Sequence, residues 1–339
     1  MSRRTDALVL FDALSIEGAL LPAEWLARVA KLDASAQKPA DYGVPKGLEL
    51  RDEITRYWRI AEALWADFVT ARAAMGDDAE APTTAFVHHL LTQVFGFTDL
   101  RAAGRREAGG REFRIALEAL GGRVPVVVGV PAEELEAPVA RHGEGRRRSS
   151  WDTLQEYLNA SDGALWGIAA NGLRLRIGRD NSSLTRPAWI EADLERIFTE
   201  ERFADFSVLW LLLHATRFGR PDAPPSECPL ETWREKAREA GTRARDKLRD
   251  GVEAALLALG KGFLAHPDNT ALRQALAAGQ LSPEDYFNEL LRLVYRMIFL
   301  LTVEERGILH GGGVAPETRA LYDEGYSMRR LRERALRRS

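Results

Sequence analysis

A change of hydrophobic period in the middle of the chain constrains the fold more than any other feature. The stretch AFVHHLLTQVFGF, residues 85–97, has apolar residues at helical spacing. Two β-like runs, REFRIALEAL and RVPVVVGV, follow it and are separated by Gly121–Gly122, a signal for a tight turn between strands. A helix around Gln155 and the strands LWGIAA and LRLRIGR, joined at Asn171–Gly172, come next. The order helix, strand, strand, helix, strand, strand predicts an α/β region with a mixed sheet.

Helical patterns precede and follow this region, so the sequence predicts an α+β protein in three parts. These are a helical segment at 1–82, the α/β domain at 83–200 and a helical bundle at 201–339. Thr83 or Thr84 is expected to cap the first helix of the α/β domain.

The bundle has two long helical patterns. Apolar residues at steps of three and four through 231–259 form a face that we expect partner helices to cover. Ser282–Pro283 begins a second apolar helix. Trp210 and Tyr295 lie in apolar helices and are expected in the core.

Composition describes an ordinary globular chain and gives little indication of partners. The 339 residues carry a formal net charge of -3, and only six of the 47 basic residues are lysine, so bulk arginine is discounted as a DNA-binding signal. The single cysteine, Cys228, and six scattered histidines form no metal-ligand motif. The apolar runs VLWLLL and MIFLLTV are far shorter than the ~20 residues of a membrane span. We expect a cytoplasmic protein without a metal or a membrane partner.

Three stretches carry a resemblance to a known family: IEGALLPAEWLARVA, LQEYLNASDGALWGIAANGLRLRIGRDNSSLTRPAWIEADL and LRLVYRMIFLLTVEERGIL. Together they resemble the N-terminal half of type IIG restriction-modification adenine DNA methyltransferases, and most of all the methyltransferase of the DISARM phage-defence system. The resemblance covers residues 10–335. It implies a PD-(D/E)XK nuclease-like α/β domain and a helical connector that precede a methyltransferase domain. It also implies DNA and other defence-system subunits as partners.

The catalytic core of such a nuclease is missing from the sequence. Catalysis by this fold needs an acidic residue on one strand and acid-x-Lys on the next, because the carboxylates hold Mg²⁺ and the lysine assists the attack of water. Here the second strand is VPVVVGV, and no lysine occurs between residues 47 and 235. Glu112 and Glu118 are candidate remnants of the acidic ligand, although a lone strand carboxylate is usually solvated. By the resemblance, Gln155 and Tyr157 stand where such nucleases have Gln and Tyr beside the active site, which makes Glu112, Glu118 and Gln155 a vestigial site.

The methyltransferase motifs are missing too. Adenine methylation needs a Gly-rich loop after a strand for S-adenosylmethionine and an Asn-Pro-Pro-aromatic motif for the flipped base. The only Pro-Pro is Pro224–Pro225, in the stretch APPSE. We therefore expect no catalytic residue and no cofactor in this chain, with S-adenosylmethionine bound by a C-terminal half of the enzyme.

The sequence leaves two functions open. In one, the chain engages DNA as the scaffolding part of the methyltransferase. In the other, a degenerate nuclease fold docks a partner subunit without binding DNA. For the strand arginines of LRLRIGR, exposure to solvent is the default expectation, since they alternate with apolar residues. The candidate phosphate contacts are Arg141, Arg146, Arg147, Arg148, Arg174, Arg176, Arg329 and Arg330.

Overall fold

The fold is given by a computed structural model that describes residues 11–18, 20–139, 147–180, 188–310 and 314–338. The chain divides into two compact units, one ending at Ala240 and one beginning at Gly241. The first unit contains a sheet with helices, and the described part of the second is helical.

A seven-stranded mixed sheet organises the first unit. Its spatial order is β1-β7-β6-β5-β4-β3-β2, and every neighbouring pair is antiparallel except β4 and β5, which are parallel. The strands are β1 (Leu14–Glu17), β2 (Arg101–Ala108), β3 (Arg111–Ala119), β4 (Val124–Val128), β5 (Trp166–Ala170), β6 (Arg174–Arg179) and β7 (Trp189–Asp193).

Helices surround this sheet and make up the second unit. Those of the first unit are α1 (Ala23–Ala30), α2 (Leu50–Met75), α3 (Glu80–His89), α4 (Ser150–Ala160), α5 (Leu194–Thr199) and α6 (Phe203–Leu213). Helix α7 (Pro229–Ala265) begins in the first unit and ends in the second. The second unit continues with α8 (Thr270–Ala277), α9 (Pro283–Glu305), α10 (Pro316–Gly325) and α11 (Met328–Arg338).

Local signals explain the region around the parallel strand pair. Helix α4 lies between β4 and β5 in the chain and begins where the Ser149 hydroxyl accepts a hydrogen bond from the Asp152 backbone N–H at 2.8 Å. Parallel strands need such a crossover. After β5, the Asn171 side chain accepts from the backbone of Leu173 and Arg174, and Gly172 adopts φ +89°. The predicted α+β class and mixed sheet are confirmed.

Both faces of strand β4 are buried, which explains its unbroken apolar sequence VPVVV. Val126 and Val128 belong to the main core, which includes residues of α2, α3 and α6. Val127 points into a smaller core with Phe113, Trp151 and Leu154 on the α4 side of the sheet. The sheet is therefore covered by apolar side chains on two sides.

Several elements differ from the sequence prediction. The stretch 1–82 is not wholly helical, because β1 pairs with β7. The strands β2 and β7 were not predicted at all. Neither Thr83 nor Thr84 caps α3, which begins at Glu80 after Ala79, and the Thr83 hydroxyl donates to the Ala79 carbonyl instead.

The helical prediction for 201–339 is confirmed for the described residues 201–310 and 314–338, which contain no strand. Ser282 caps α9 as expected, accepting from the Asp285 N–H at 3.0 Å. The expected cover over 231–259 is wrong in part, because every residue of 238–251 is exposed. Trp210 is buried, but Tyr295 is 60% exposed and is not a core residue. None of the described helices is long and apolar enough to cross a membrane.

Candidate nucleic-acid interface

Glu118, a candidate remnant of the nuclease site, lies on β3 as a buried, paired carboxylate. Only 4% of the residue is exposed, so the expectation that it is solvated is wrong. One oxygen accepts from Arg101 at 2.8 Å and the other from Arg106 at 2.8 Å. The hydrogen bond from Arg106 outweighs burial and, helped by Arg101, holds the pKa of the Glu118 carboxyl below its usual range. Both arginines lie on strand β2, and their positive charges neutralise the Glu118 carboxylate.

The other two candidate remnants have different surroundings. Glu112 is exposed and pairs with Arg105 across the β2–β3 hairpin at 3.1 Å. The Gln155 amide donates to the Arg179 carbonyl at 2.9 Å and to the Asn159 side chain at 3.2 Å. Gln155 thus ties α4 to the end of β6.

Tyr157 on α4 lies near enough to Glu118 to feel its charge. Its ring packs edge-on against Phe113, with centroids 5.5 Å apart. Burial raises the pKa of Tyr157, and the nearby Glu118 charge acts in the same direction. The tyrosine is therefore a neutral, largely buried neighbour of the carboxylate.

Strand β4, on which the resemblance would place the acid-x-Lys motif, carries apolar side chains. Val126, Val127 and Val128 are all buried and carry no side-chain oxygen or nitrogen. Mg²⁺ is held by oxygen ligands at about 2.0–2.1 Å. Among the residues that the structure describes, no group of three or more His, Cys, Asp or Glu side chains is arranged to hold a metal ion. Strand β4 itself therefore offers no side-chain ligand to a metal ion.

The arginines predicted on β6 are engaged with carboxylates. Arg176 is only 5% exposed, which contradicts the expected solvent exposure. Its guanidinium bonds to Glu191 at 2.5 Å and to Glu136 at 3.0 Å. The same group lies 4.1 Å from the Trp189 ring centroid and 5.0 Å from that of Trp151. The Arg176 guanidinium is thus held within the protein by two carboxylates and two aromatic rings.

The remaining strand and loop arginines differ in whether they form ion pairs with carboxylates. Arg174 forms an ion pair with Asp193 on β7, and Arg148 pairs with Glu156 at 3.3 Å. Arg147 is exposed and has no ion-pair partner in the described part of the chain. The candidates Arg141 and Arg146 lie outside the described residues.

The last two candidates lie on α11, beside a groove between that helix and α10. This α10–α11 groove has a volume of about 540 Å³. Arg329 is exposed and Arg330 half-buried, and neither forms an ion pair with a described residue. The groove is lined by Arg329, Arg330, Arg334, Arg337, Asp323, Glu324 and Glu333.

Glu304 on α9 fixes the corner at which α11 begins. Its carboxylate accepts from the backbone of Met328 at 2.7 Å and of Arg329 at 3.1 Å, and from the Tyr322 hydroxyl at 2.6 Å. Although burial opposes it, these hydrogen bonds lower the pKa of Glu304. The hydrogen bond to Glu304, together with burial, raises the pKa of Tyr322 to about 12. Ser327 caps the helix by accepting from Arg330 N–H at 3.3 Å. Sequence reasoning missed this anchor because its parts are 18 to 25 residues apart.

Comparison with known proteins adds no relative: a scan of protein-family models and searches of curated proteins and of solved structures found no match to this chain.

Proposed function

We propose that this chain is the non-catalytic, DNA-engaging and scaffolding part of an adenine-specific DNA methyltransferase in a cytoplasmic phage-defence or restriction-modification system. The family assignment rests on the three stretches of resemblance. The order α3, β2, β3, β4, α4, β5 supports a nuclease-like α/β domain, since it has the antiparallel strands, crossover helix and parallel strand that the resemblance implies. In this proposal a methyltransferase domain outside the chain binds S-adenosylmethionine and carries out the methylation.

The buried apolar strand β4 is the observation that carries the non-catalytic part of the proposal. Val126 to Val128 occupy the strand on which the second metal ligand and the lysine would stand. The nearest buried acid, Glu118, already has two arginine partners. Glu118 is paired with arginines, and the valines of β4 carry no side-chain oxygen. Glu118 therefore does not form, with a second oxygen ligand on β4, the metal site that phosphodiester cleavage requires.

The contrast between paired and unpaired arginines supports the DNA-engaging part. Arg148, Arg174 and Arg176 each have a carboxylate partner, which weakens their attraction for phosphate. Arg147, Arg329, Arg330, Arg334 and Arg337 have none among the described residues, so their charge is available to a polyanion. A phosphate contact by such residues makes binding dependent on salt and independent of base sequence.

A native gel shift of the full chain with labelled duplex DNA at several salt concentrations tests this proposal. We expect retardation that weakens steeply as salt rises and that is similar for two unrelated sequences. The absence of any shift at low salt would contradict DNA engagement.

A protein-interaction module is the second candidate, because α9 has an exposed apolar stripe. Phe287, Tyr295 and Phe299 are 48%, 60% and 65% exposed and lie at steps of eight and four on one side of the helix. Such patches mark contact surfaces. A partner defence subunit that binds this chain without any DNA shift would favour this second function.

A further inference from the structure

Three arginines on one side of α11 line the α10–α11 groove. Arg330, Arg334 and Arg337 are separated by four and three residues, so they lie on one side of α11. All three line the groove. Together they span about 10 Å of the helix axis, at 1.5 Å per residue.

The helix that carries these arginines is fixed to the rest of the second unit. Met328 and Ser327 at its start are buried. Glu304 accepts hydrogen bonds from two backbone N–H groups of its first turn. Since Glu304 also binds the Tyr322 hydroxyl of α10, one carboxylate links α9, α10 and α11. The arginines therefore project from a helix whose position is already set, which lowers the entropic cost of ordering them on a ligand.

We propose that the α10–α11 groove binds phosphate groups of the DNA backbone through Arg330, Arg334 and Arg337. This inference rests on the proposed function, because it names the part of DNA that the chain engages and the residues that engage it. Each guanidinium offers a planar fork of donors that matches the oxygens of a phosphate. Successive phosphates on one strand are about 3.4 Å apart along the duplex axis, so arginines spread over about 10 Å reach different phosphates.

An anionic membrane is the other polyanion that a basic amphipathic helix can meet, and the structure favours DNA over it. A membrane-bound helix lays a continuous apolar face on the bilayer. In α11 Met328 is buried inside the unit, and the exposed leucines Leu331 and Leu336 are about 140° apart around the helix, so they do not form one continuous apolar face. A groove with discrete forks suits separate phosphate groups better.

Fluorescence anisotropy with a labelled duplex over a range of salt concentrations tests the inference on the full chain. The test variant is Arg330→Ala/Arg334→Ala/Arg337→Ala, which keeps α11 helical because alanine is the best helix former. The matched control is Arg292→Ala/Arg296→Ala/Arg306→Ala, which removes the same charge from exposed positions of the same unit. Circular dichroism checks that both variants retain the wild-type helix content.

We expect the α11 variant to bind at least about tenfold more weakly near 0.1 M salt, with a log–log salt slope shallower by about 2–3, at about 0.9 per lost contact. The control should change affinity by less than about threefold, with a nearly unchanged slope. The inference would be overturned if the two variants lost DNA affinity equally, or if the α11 variant bound DNA like the wild type. The proposed function would stand in both cases. No binding by the wild type at low salt removes the proposed function, and binding to phosphatidylserine vesicles but not to duplex assigns the groove to membranes instead.

Discussion

Two charged side chains of the sheet, Glu118 and Arg176, are neutralised by protein groups. Glu118 is held between Arg101 and Arg106, and Arg176 between Glu191 and Glu136. In each case the buried group has two oppositely charged partners, one of them well exposed. A buried charge with partners on both sides fixes the strands that carry it, because loss of a partner leaves a desolvated charge.

Glu118→Gln should lower the free energy of unfolding by about 1–2 kcal/mol at pH 7, since the amide keeps the shape and loses the charge-assisted hydrogen bonds. The pKa of Glu118 is lower in the folded chain, so its contribution is complete above the unfolded pKa and disappears as pH falls through the folded value. Urea unfolding of variant and wild type at pH 7 and near pH 3 measures this. A difference in stability that is equally large at both pH values would contradict the ion-pair explanation.

Arg176→Met should lower the free energy of unfolding by about 2–3 kcal/mol, because Glu191 loses its partner in a largely buried place. The exposed pair Arg59–Glu62 is a matched control, and Arg59→Met should cost less than about 1 kcal/mol. Denaturant titration of the two variants measures both values. Equal costs would show that Arg176 is no more than a surface charge.

At the scale of elements, α4 and the sheet fit together through two glycines. Gly167 on β5 pairs with Gly178 on β6, and each lies beneath a side chain of α4. A Cβ at Gly178 would lie 2.5 Å from the Trp151 ring, and one at Gly167 would lie 2.6 Å from Leu154. The missing side chains therefore allow α4 to approach the sheet closely and place Trp151 beside Arg176.

Gly178→Ala should lower the free energy of unfolding by about 1–3 kcal/mol, because the added methyl group overpacks the Trp151 contact. Gly163→Ala is the control, since a Cβ there has no neighbour within 4 Å. Thermal unfolding followed by tryptophan fluorescence compares them. A Gly178→Ala protein as stable as the control would show that α4 is free to move away from the sheet.

Elements with local signals were predictable from the sequence, and elements that depend on distant pairing were not. The Asn171–Gly172 turn and the Ser282–Pro283 cap are encoded within a few residues, and the structure has both. Strand β2 is an edge strand with a mostly exposed side-chain pattern, so its sequence RAAGRREA lacks a buried alternation. Glu118 was misjudged for the same reason, because its partners Arg101 and Arg106 are on that unpredicted strand.

At the scale of the whole molecule, the candidate phosphate contacts of the two units differ in whether they are paired with carboxylates. In the first unit, strand β4 carries buried apolar side chains, and the candidate arginines Arg148, Arg174 and Arg176 are paired with carboxylates. The second unit carries the arginines of the α10–α11 groove, which have no ion pair among the residues described. We therefore propose that DNA contact and catalysis are separated, and we expect the chain to do the first without the second.

Incubation of the full chain with supercoiled plasmid, Mg²⁺ or Mn²⁺ and labelled S-adenosylmethionine tests this separation most directly. A native gel reads binding, and the same sample after protease treatment reads nicking and label on the DNA. We predict retarded plasmid that is recovered supercoiled and unlabelled. Metal-dependent nicking that disappears in Glu112→Ala or Glu118→Ala, or transfer of label to the DNA, would contradict the account.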